Sequence, residues 1–316
     1  MNVYIIANPD DLSTFEVVNW INIFGYNSIV LNFSDLVSKN NFEWDSINQF
    51  DKVFNIENKS SLPYISVWFR SDTSFIVEGK WLNNGYSNKI KNHLFWEIEM
   101  LKRGLFNKDN KIRYLSYYQT TQLNKLTVLN VARKNGLTIP KTIITTSKNN
   151  LYEFKKEHNS IIGKAVFENI SHIKTSDGFL KQFVKEINSD FIDNLPEHFF
   201  PSFFQKLIPK EYDVRVFYLN GKCYPMAIFS KAVDFRADYD THRNVPMKLP
   251  KYFEKKICKL MDMLELNTGS LDFVKSSEDG KFYFLEVNPN GQFGMVSEPC
   301  NYYIEREIAK FLCNEE

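Results

Sequence analysis

The sequence predicts an α/β protein from one pattern near its start and two nearer its end. An apolar run at Val3–Ala7, a helical pattern at Leu12–Phe24 and a second apolar run at Ser28–Phe33 follow one another. This alternation is typical of a βαβ unit. Later, Asn220-Gly221 and Glu278–Gly280 each separate two alternating runs, which predicts two β-hairpins.

Composition sets the class of protein. A chain of 316 residues with 43% apolar residues can bury two or three connected cores. Its 39 basic and 38 acidic residues nearly cancel, so neither nucleic acid nor a membrane surface is an expected partner. No export signal or membrane-length apolar run is visible, and a cytoplasmic protein is expected. Four scattered cysteines predict reduced side chains: Cys223, Cys258, Cys300 and Cys313.

The elements follow in order along the chain. After the βαβ pattern we predict the strand Tyr64–Arg70, the helix Lys89–Arg103, stopped at Gly104, and a helix with a stripe of Leu123, Leu126, Leu129 and Ala132. A strand after Pro140, the strand Ser160–Val166 and the helix Phe179–Asn188 are predicted next. The first hairpin, the helix Leu249–Leu264 and the second hairpin come last. Domains are predicted at 1–118, 119–205 and 206–316.

Three oxygen-bearing side chains fall on the second hairpin. Glu286 and Asn288 lie two residues apart and share one strand face, and the preceding strand can bring Asp272 beside them. Two carboxylates and an amide suit Mg²⁺, which prefers oxygen ligands. The alternatives are a solvated strand face, or Asn288–Gly291 acting only as a turn.

Two lysines and an apolar linker form a second candidate site. Lys164 interrupts an apolar strand, where a lysine needs solvent or an anion; Lys125 opens a helix. An edge-strand lysine is the alternative. The backbone N–H and C=O groups of the run Phe203–Ile208 can bind the edge of a flat ring, and the carboxylate of Asp213 can accept from ribose hydroxyls. A linker buried in the core is the other interpretation.

Three further cations are candidates for binding a carboxylate or phosphate. Arg215 shares a strand face with Asp213, and Arg236 follows the hairpin, so the two guanidinium groups can clamp an anion. Lys231 lies between them. A surface salt bridge such as Asp213 to Arg215 remains an alternative.

The order of these motifs resembles the ATP-grasp superfamily over about Thr120–Leu312. The motifs are a lysine before GLTIP, a strand lysine, QKLI, DVRVF, DFR, GSLDF and FLEVNPNGQF. The resemblance implies an ATP-grasp fold: an N-terminal βαβ-like domain, then two α+β lobes with nucleotide between them. With WFR at Trp68–Arg70, these motifs resemble the maturases of graspetides, the microviridin-like peptides, and SEPCNY with QFG is most similar to the grasp-with-spasm branch.

The resemblance implies roles for the candidate residues. Lys125 and Lys164 would hold ATP phosphates, and Asp213 would meet the ribose. Arg215 and Arg236, helped by Lys231, would steady the γ-phosphate and the substrate carboxylate. The adenine hinge would be Gln205, Lys206, Leu207 and Ile208, with Gln205 replacing a frequent glutamate, and the Mg²⁺ ligands would be Asp272, Glu286 and Asn288.

The function implied is an ATP-dependent ligase that activates Asp or Glu side chains of a ribosomal precursor peptide as acyl phosphates. Thr or Ser hydroxyls or Lys amines then form ω-ester or ω-amide macrocycles. The leader is expected to bind the hairpin Asp213–Ser230, and a homodimer is expected. The alternatives are a ligase that joins a free amino acid to a peptide or small molecule, or a binding module without catalysis.

Overall fold

A computed structural model describes residues 2–8, 10–33, 66–71, 88–105, 112–120, 123–166, 173–175, 178–180, 184–235 and 242–315. The chain forms two compact units. One comprises Met1–Gln122, Leu266–Thr268 and Gln292–Glu316, and the other comprises Leu123–Glu265 and Gly269–Gly291. The division into three domains stays a prediction. Among the described residues, none of the helices has the length and apolar character needed to span a bilayer.

The first unit contains a parallel sheet in the order β2-β1-β3-β4. Its elements are β1 Asn2–Ala7, α1 Leu12–Ile23, β2 Asn27–Leu31, β3 Ser66–Ser71, α2 Asn88–Leu105, β4 Arg113–Leu115, α7 Gly294–Cys300 and α8 Ile304–Cys313. Parallel pairing of β1 with β2 and β3 confirms the predicted βαβ unit. The predicted stop at Gly104 is wrong, because α2 continues to Leu105 and Gly104 has no left-handed backbone.

The described residues of the second unit form two larger sheets and a two-stranded sheet of β7 and β8. The first has the order β5-β10-β6-β9 and the second the order β13-β12-β11-β14-β15. The strands are β5 Thr142–Ser147, β6 Ile161–Lys164, β7 Ile173–Thr175, β8 Gly178–Leu180, β9 Lys185–Ile187, β10 His198–Lys206, β11 Lys210–Leu219, β12 Lys222–Phe229, β13 Arg243–Pro246, β14 Thr268–Ser276 and β15 Phe282–Asn288. Its helices are α3 Lys125–Lys134, α4 Lys148–His158, α5 Ser189–Asp193 and α6 Lys251–Met263.

Both predicted hairpins are confirmed. Strands β11 and β12 pair antiparallel around Asn220 and Gly221, whose φ angles of 42° and 88° define a tight turn with two left-handed residues. Strands β14 and β15 pair antiparallel beyond the second turn. The chain crosses from the first sheet to the second through the three residues that separate β10 from β11.

Two predicted helical features are wrong. In the segment Phe179–Asn188, of which 181–183 lie outside the described residues, the end of β8 and the whole of β9 replace the predicted helix. Strand β9 pairs antiparallel with β6, and that tertiary pairing decides the conformation. In α3, Leu126 is 40% exposed while Val128, Leu129 and Ala132 are buried. Steps of three residues rotate by about 60° around a helix axis, so the predicted stripe does not stay on one face.

Candidate active site

A row of four charged side chains crosses the second sheet. Asp272 on β14 lies directly opposite Glu286 on β15. Arg215 on β11 donates from Nη1 to both oxygens of Asp272 at 3.2 Å. The Nζ atom of Lys125, the first residue of α3, lies 3.4 Å from Glu286 Oε2. We call Arg215, Asp272, Glu286 and Lys125 the charged row, in which each carboxylate contacts a cation.

The charged row is largely withdrawn from solvent. The exposed fractions of its side chains are 10% for Arg215, 17% for Asp272, 19% for Glu286 and 9% for Lys125. Lys125 also donates to the Ala165 carbonyl at 3.2 Å. Carboxylates at this depth need charge partners or a metal ion, because burial of an uncompensated charge is costly.

A cavity of about 330 Å³ opens beside the charged row in the second unit. Its apolar part includes Ile162, Leu207, Ile208 and Phe235. Its charged part comprises Lys164, Lys206, Lys210, Asp213, Lys231, Asp234, Asp272 and Glu286. A concave site that joins an apolar wall to convergent polar groups is typical of small-molecule binding. Its residues come from both sheets and from the segment that joins β10 to β11.

Gln205 presents an acceptor without a hydrogen-bond partner among the described residues. The residue is 1% exposed, lines the cavity, and donates from Nε2 to Thr142 Oγ1 at 3.0 Å. Thr142 Oγ1 in turn donates to the Pro140 carbonyl at 2.9 Å. Because the Thr142 hydroxyl donates its only proton to Pro140, Thr142 Oγ1 can only accept from Gln205. The Gln205 side chain therefore points its NH₂ group, and not its oxygen, at Thr142. The Oε1 atom is therefore free to accept from a ligand.

Asp213 is buried on strand β11 and contacts Lys210, the first residue of that strand. Lys210 Nζ lies 2.5 Å from Asp213 Oδ2 and 2.6 Å from the Ala232 carbonyl, to which it donates. Burial raises the pKa of Asp213 to about 6; Lys210 opposes this shift, and the nearby Asp272 and Asp234 add to it. A carboxyl with this pKa can change protonation near neutral pH.

The structure brings most of the predicted site residues to the cavity, and three described ones, Lys125, Arg215 and Asn288, are not part of its lining. Nine predicted residues line the cavity: Lys164, Gln205, Lys206, Leu207, Ile208, Asp213, Lys231, Asp272 and Glu286. Lys125 and Arg215 contact the acids that line it. Asn288 is exposed, and its Oδ1 accepts from the Asn290 N–H at 3.1 Å, a turn contact beside which its metal role stays a prediction. Arg236 lies outside the described residues.

The predicted metal ligands lie on strands β14 and β15, and the predicted linker falls partly within strand β10. Among the described residues, no three His, Cys, Asp or Glu side chains form a metal-binding group. The predicted set has only two carboxylates, and its third ligand is the amide of Asn288, so that finding does not test it and its role stays a prediction. The segment Phe203–Lys206 belongs to strand β10, and Leu207, Ile208 and Pro209 form the linker proper.

Sequence reasoning missed three residues of the site. Lys210 pairs with Asp213, Thr142 fixes Gln205, and Asp234 lines the cavity. The spacing of Lys210 and Asp213, three residues apart, was visible in the sequence. The Thr142 contact spans 63 residues and had no local signal.

No family model matches the sequence, and no curated protein matches it. Three solved structures share its architecture over nearly the whole chain. The macrocyclase MdnC of Microcystis aeruginosa MRC, bound with precursor peptide MdnA, is 24% identical, with 100% of both chains covered and a TM-score of 0.79.

The second structure is a RiPP-associated ATP-grasp ligase of Chryseobacterium gregarium in complex with ADP and a leader and core peptide. It is 22% identical, with 99% of this chain and 96% of that chain covered and a TM-score of 0.79. The ATP-grasp ligase PsnB, complexed with minimal precursor, Mg and ADP, is 16% identical, with 99% and 97% covered and a TM-score of 0.75. The chain therefore has the ATP-grasp fold, as the sequence predicted.

Proposed function

We propose that this protein is an ATP-dependent peptide maturase. It phosphorylates Asp or Glu side-chain carboxylates of a ribosomal precursor peptide and condenses them with Thr or Ser hydroxyls or Lys amines, forming ω-ester or ω-amide macrocycles. The observation that carries this proposal is the charged row at the edge of the cavity. It places two carboxylates and two cations, with 3.2 and 3.4 Å contacts, at a cavity whose lining is partly apolar and partly charged.

The residues present fit a magnesium nucleotide. Gln205 offers a buried acceptor, and Lys206, Leu207 and Ile208 continue that side of the cavity, where a purine would lie. Asp213 would accept from ribose hydroxyls, and Lys125 and Lys164 would bind phosphate oxygens. Asp272 and Glu286, with Asn288, would hold Mg²⁺ through the oxygen ligands that this ion prefers. When bound, ATP would supply a phosphoryl group to the substrate carboxylate, so that phosphate rather than oxide leaves when the nucleophile attacks the carboxyl carbon.

The chain's own cations orient the reacting carboxylate. Arg215 Nη1 lies 3.2 Å from Asp272 at the edge of the cavity, and Lys231 lines the cavity. Together with Arg236 they would hold the substrate carboxylate and stabilise the negative charge that develops during transfer. The apolar lining around Phe235 and Leu285 would keep water from the activated carboxyl group.

The peptide substrate is supported by the named partners of similar structures. MdnC is bound with a precursor peptide, and the Chryseobacterium ligase with a leader and core peptide. The antiparallel hairpin of β11 and β12 is the surface we assign to the leader. A homodimer and a cytoplasmic location belong to the same proposal, the latter because ATP and newly made ribosomal peptides are available there.

Intact-mass measurement of a candidate precursor, encoded beside this gene and co-expressed with the protein, tests the proposal. Loss of one water per condensation supports macrocyclisation, and addition of an amino-acid residue supports a free-amino-acid ligase instead. An unchanged mass would favour a binding module. Asp272→Asn is the matched inactive control, and Asp279→Asn, in the hairpin turn, controls for the substitution itself.

A further inference from the structure

The hairpin of β14 and β15 begins and ends at residues of the first unit. Its start is preceded by Asn267, and the chain returns to that unit at Gln292. The stretch Gly269–Gly291 between them belongs to the second unit. Contacts that Asn267 and Gln292 make within the first unit therefore fix where the hairpin starts and where it ends.

Asn267 is held by the end of strand β4 in the first unit. Its Oδ1 atom accepts from the Ser116 N–H at 3.0 Å, and its Nδ2 atom donates to the Tyr114 carbonyl at 2.6 Å. Tyr114 belongs to β4, and Ser116 follows that strand with a φ angle of 59°, a conformation that residues other than glycine adopt only rarely. Because both polar atoms of the amide are engaged, the orientation of the Asn267 side chain is determined.

Gln292 is held by the end of strand β3 in the same unit. Arg70 Nη2 donates to Gln292 Oε1 at 2.9 Å, and the Arg70 guanidinium lies 5.4 Å from the ring centroid of Phe293. The Trp68 ring also packs on that phenylalanine, at a centroid distance of 6.2 Å. Arg70 is only 4% exposed, and its Nε atom forms a 3.0 Å ion pair with Asp11. A planar guanidinium held in this way presents its other donors in a fixed direction.

Both anchoring contacts lie at one edge of the parallel sheet of the first unit. Strands β3 and β4 pair in parallel, so their carboxyl ends point the same way. Two motifs that the candidate site does not use, WFR at Trp68–Arg70 and QFG at Gln292–Gly294, thus contact each other.

The anchors affect the site through strand register. Side chains alternate along a strand, so a slip of one residue would turn Asp272 or Glu286 to the opposite face of the sheet. The pairing of these strands already contains an irregularity after Asp272. A hairpin that is fixed at both ends resists such a slip and keeps the two carboxylates opposed.

We propose that Arg70 and Asn267 are positioning residues for the reaction: they fix the two ends of the β14–β15 hairpin and thereby hold Asp272 opposite Glu286. They act through the strands rather than on the substrate. The inference rests on the proposed function, which gives the two carboxylates their role, and it adds two residues of the first unit to that function.

Gln292→Leu tests the contact at the end of β15. The substitution removes the oxygen to which Arg70 donates and leaves the ion pair of Arg70 with Asp11 in place; since Gln292 is exposed, we expect the variant to fold. Amide hydrogen exchange in β15, followed by mass spectrometry without nucleotide or metal, should become about tenfold faster, as expected for the loss of one hydrogen bond to a charged group. Precursor-dependent ADP release should fall by a similar factor. Gln292→Glu, which keeps an oxygen at the same place, should show wild-type values of both.

Asn267→Asp tests the other end of the hairpin, because it keeps the acceptor for Ser116 and loses the donor to Tyr114. Faster exchange is then expected in β14. The matched control is Ser13→Ala, which removes a second contact of Arg70 Nη2, at 3.4 Å, and leaves the contact with Gln292 in place. Both readouts should stay at the wild-type level in this control.

Wild-type turnover in Gln292→Leu, or a loss of turnover that Gln292→Glu shares, would overturn the positioning role. Unchanged exchange in β15 of Gln292→Leu would overturn it as well. If the wild-type chain released no ADP with precursor peptide, the proposed function would fall instead, and the exchange rates would still decide whether the ends of the hairpin are anchored.

Discussion

Asp272 and Glu286 lie directly opposite each other on strands β14 and β15, and a register irregularity follows immediately after Asp272. Opposed residues on antiparallel strands point to the same face, so two carboxylates meet there. Like charges in this position are destabilising by themselves. The contacts of Arg215 with Asp272 and of Lys125 with Glu286 offset that repulsion.

Glu286→Gln should abolish peptide-dependent ADP formation. The substitution removes one carboxylate charge with little change in volume, and we expect a loss on the order of 100-fold or more, as for other charge-stabilising groups. ADP release in a coupled assay with precursor peptide measures this effect, and circular dichroism checks the fold. Glu157→Gln, whose wild-type side chain is 72% exposed on α4, should retain full activity. Full turnover by Glu286→Gln would contradict the metal assignment.

Gly291→Ala should destabilise the turn that follows β15. A methyl group built on Gly291 would lie 2.2 Å from Ser270 Oγ and 2.7 Å from the Ser270 backbone nitrogen, so the backbone itself must shift. We expect a loss of about 1 to 3 kcal/mol, the range for overpacking, measured by urea unfolding. Gly104→Ala in α2 meets nothing within 4 Å and should be neutral or slightly stabilising. Equal stability of the two variants would refute the steric argument.

Asp213 should make stability depend on pH in the acidic range. Its pKa is about 6 in the folded chain, above the ordinary value of 3.8. Between these values the folded chain keeps a proton that the unfolded chain releases. The stabilising contribution is therefore complete below about pH 4 and is lost as pH rises through 6, by at most about 3 kcal/mol.

Urea unfolding at several pH values between 4 and 7 measures this dependence in the wild-type chain and in Asp213→Asn. The variant should lose less stability as the pH rises. Identical pH dependence in both chains would show that Asp213 does not titrate there.

The local parts of the site could be read from the sequence. The turns at Asn220-Gly221 and before β15 are encoded by neighbouring residues, and the second turn brings Asp272 opposite Glu286. The partner of Arg215 could not be assigned in this way. Its contact with Asp272 joins residues 57 positions apart and depends on the tertiary arrangement of β11 and β14. The expected alternative, a pair with Asp213, is replaced by the Lys210 contact.

The error at Phe179–Asn188 has a similar origin. Short strands such as β8 and β9, three residues each, carry too few side chains to show a period of two. Pairing of β9 with β6 supplies the hydrogen bonds, and Ile187 joins a core with Leu151 and Phe204. Such contacts are set by the tertiary fold and leave no signal in the segment itself.

Gln205 should select the base of the nucleotide. Its amide is fixed by Thr142, so its buried Oε1 can only accept, which suits the amino group of adenine and disfavours a carbonyl at the same position. Leaving a buried acceptor unpaired costs about 1 to 3 kcal/mol. The wild-type chain should therefore bind ATP about tenfold more tightly than purine riboside triphosphate, which lacks the amino group, and Gln205→Met should reduce this preference.

Calorimetric titration of ATP and of purine riboside triphosphate into the wild-type chain and into Gln205→Met gives the affinity ratio of the two nucleotides for each chain. A change in this ratio reports the amino-group contact, whereas a general effect on the cavity weakens both nucleotides alike. Thr142→Val provides a second variant, because it removes the acceptor that orients the glutamine amide and should also weaken the preference. Gln205→Met with an unchanged affinity ratio would mean that another group, such as a backbone carbonyl of the linker after β10, recognises the amino group.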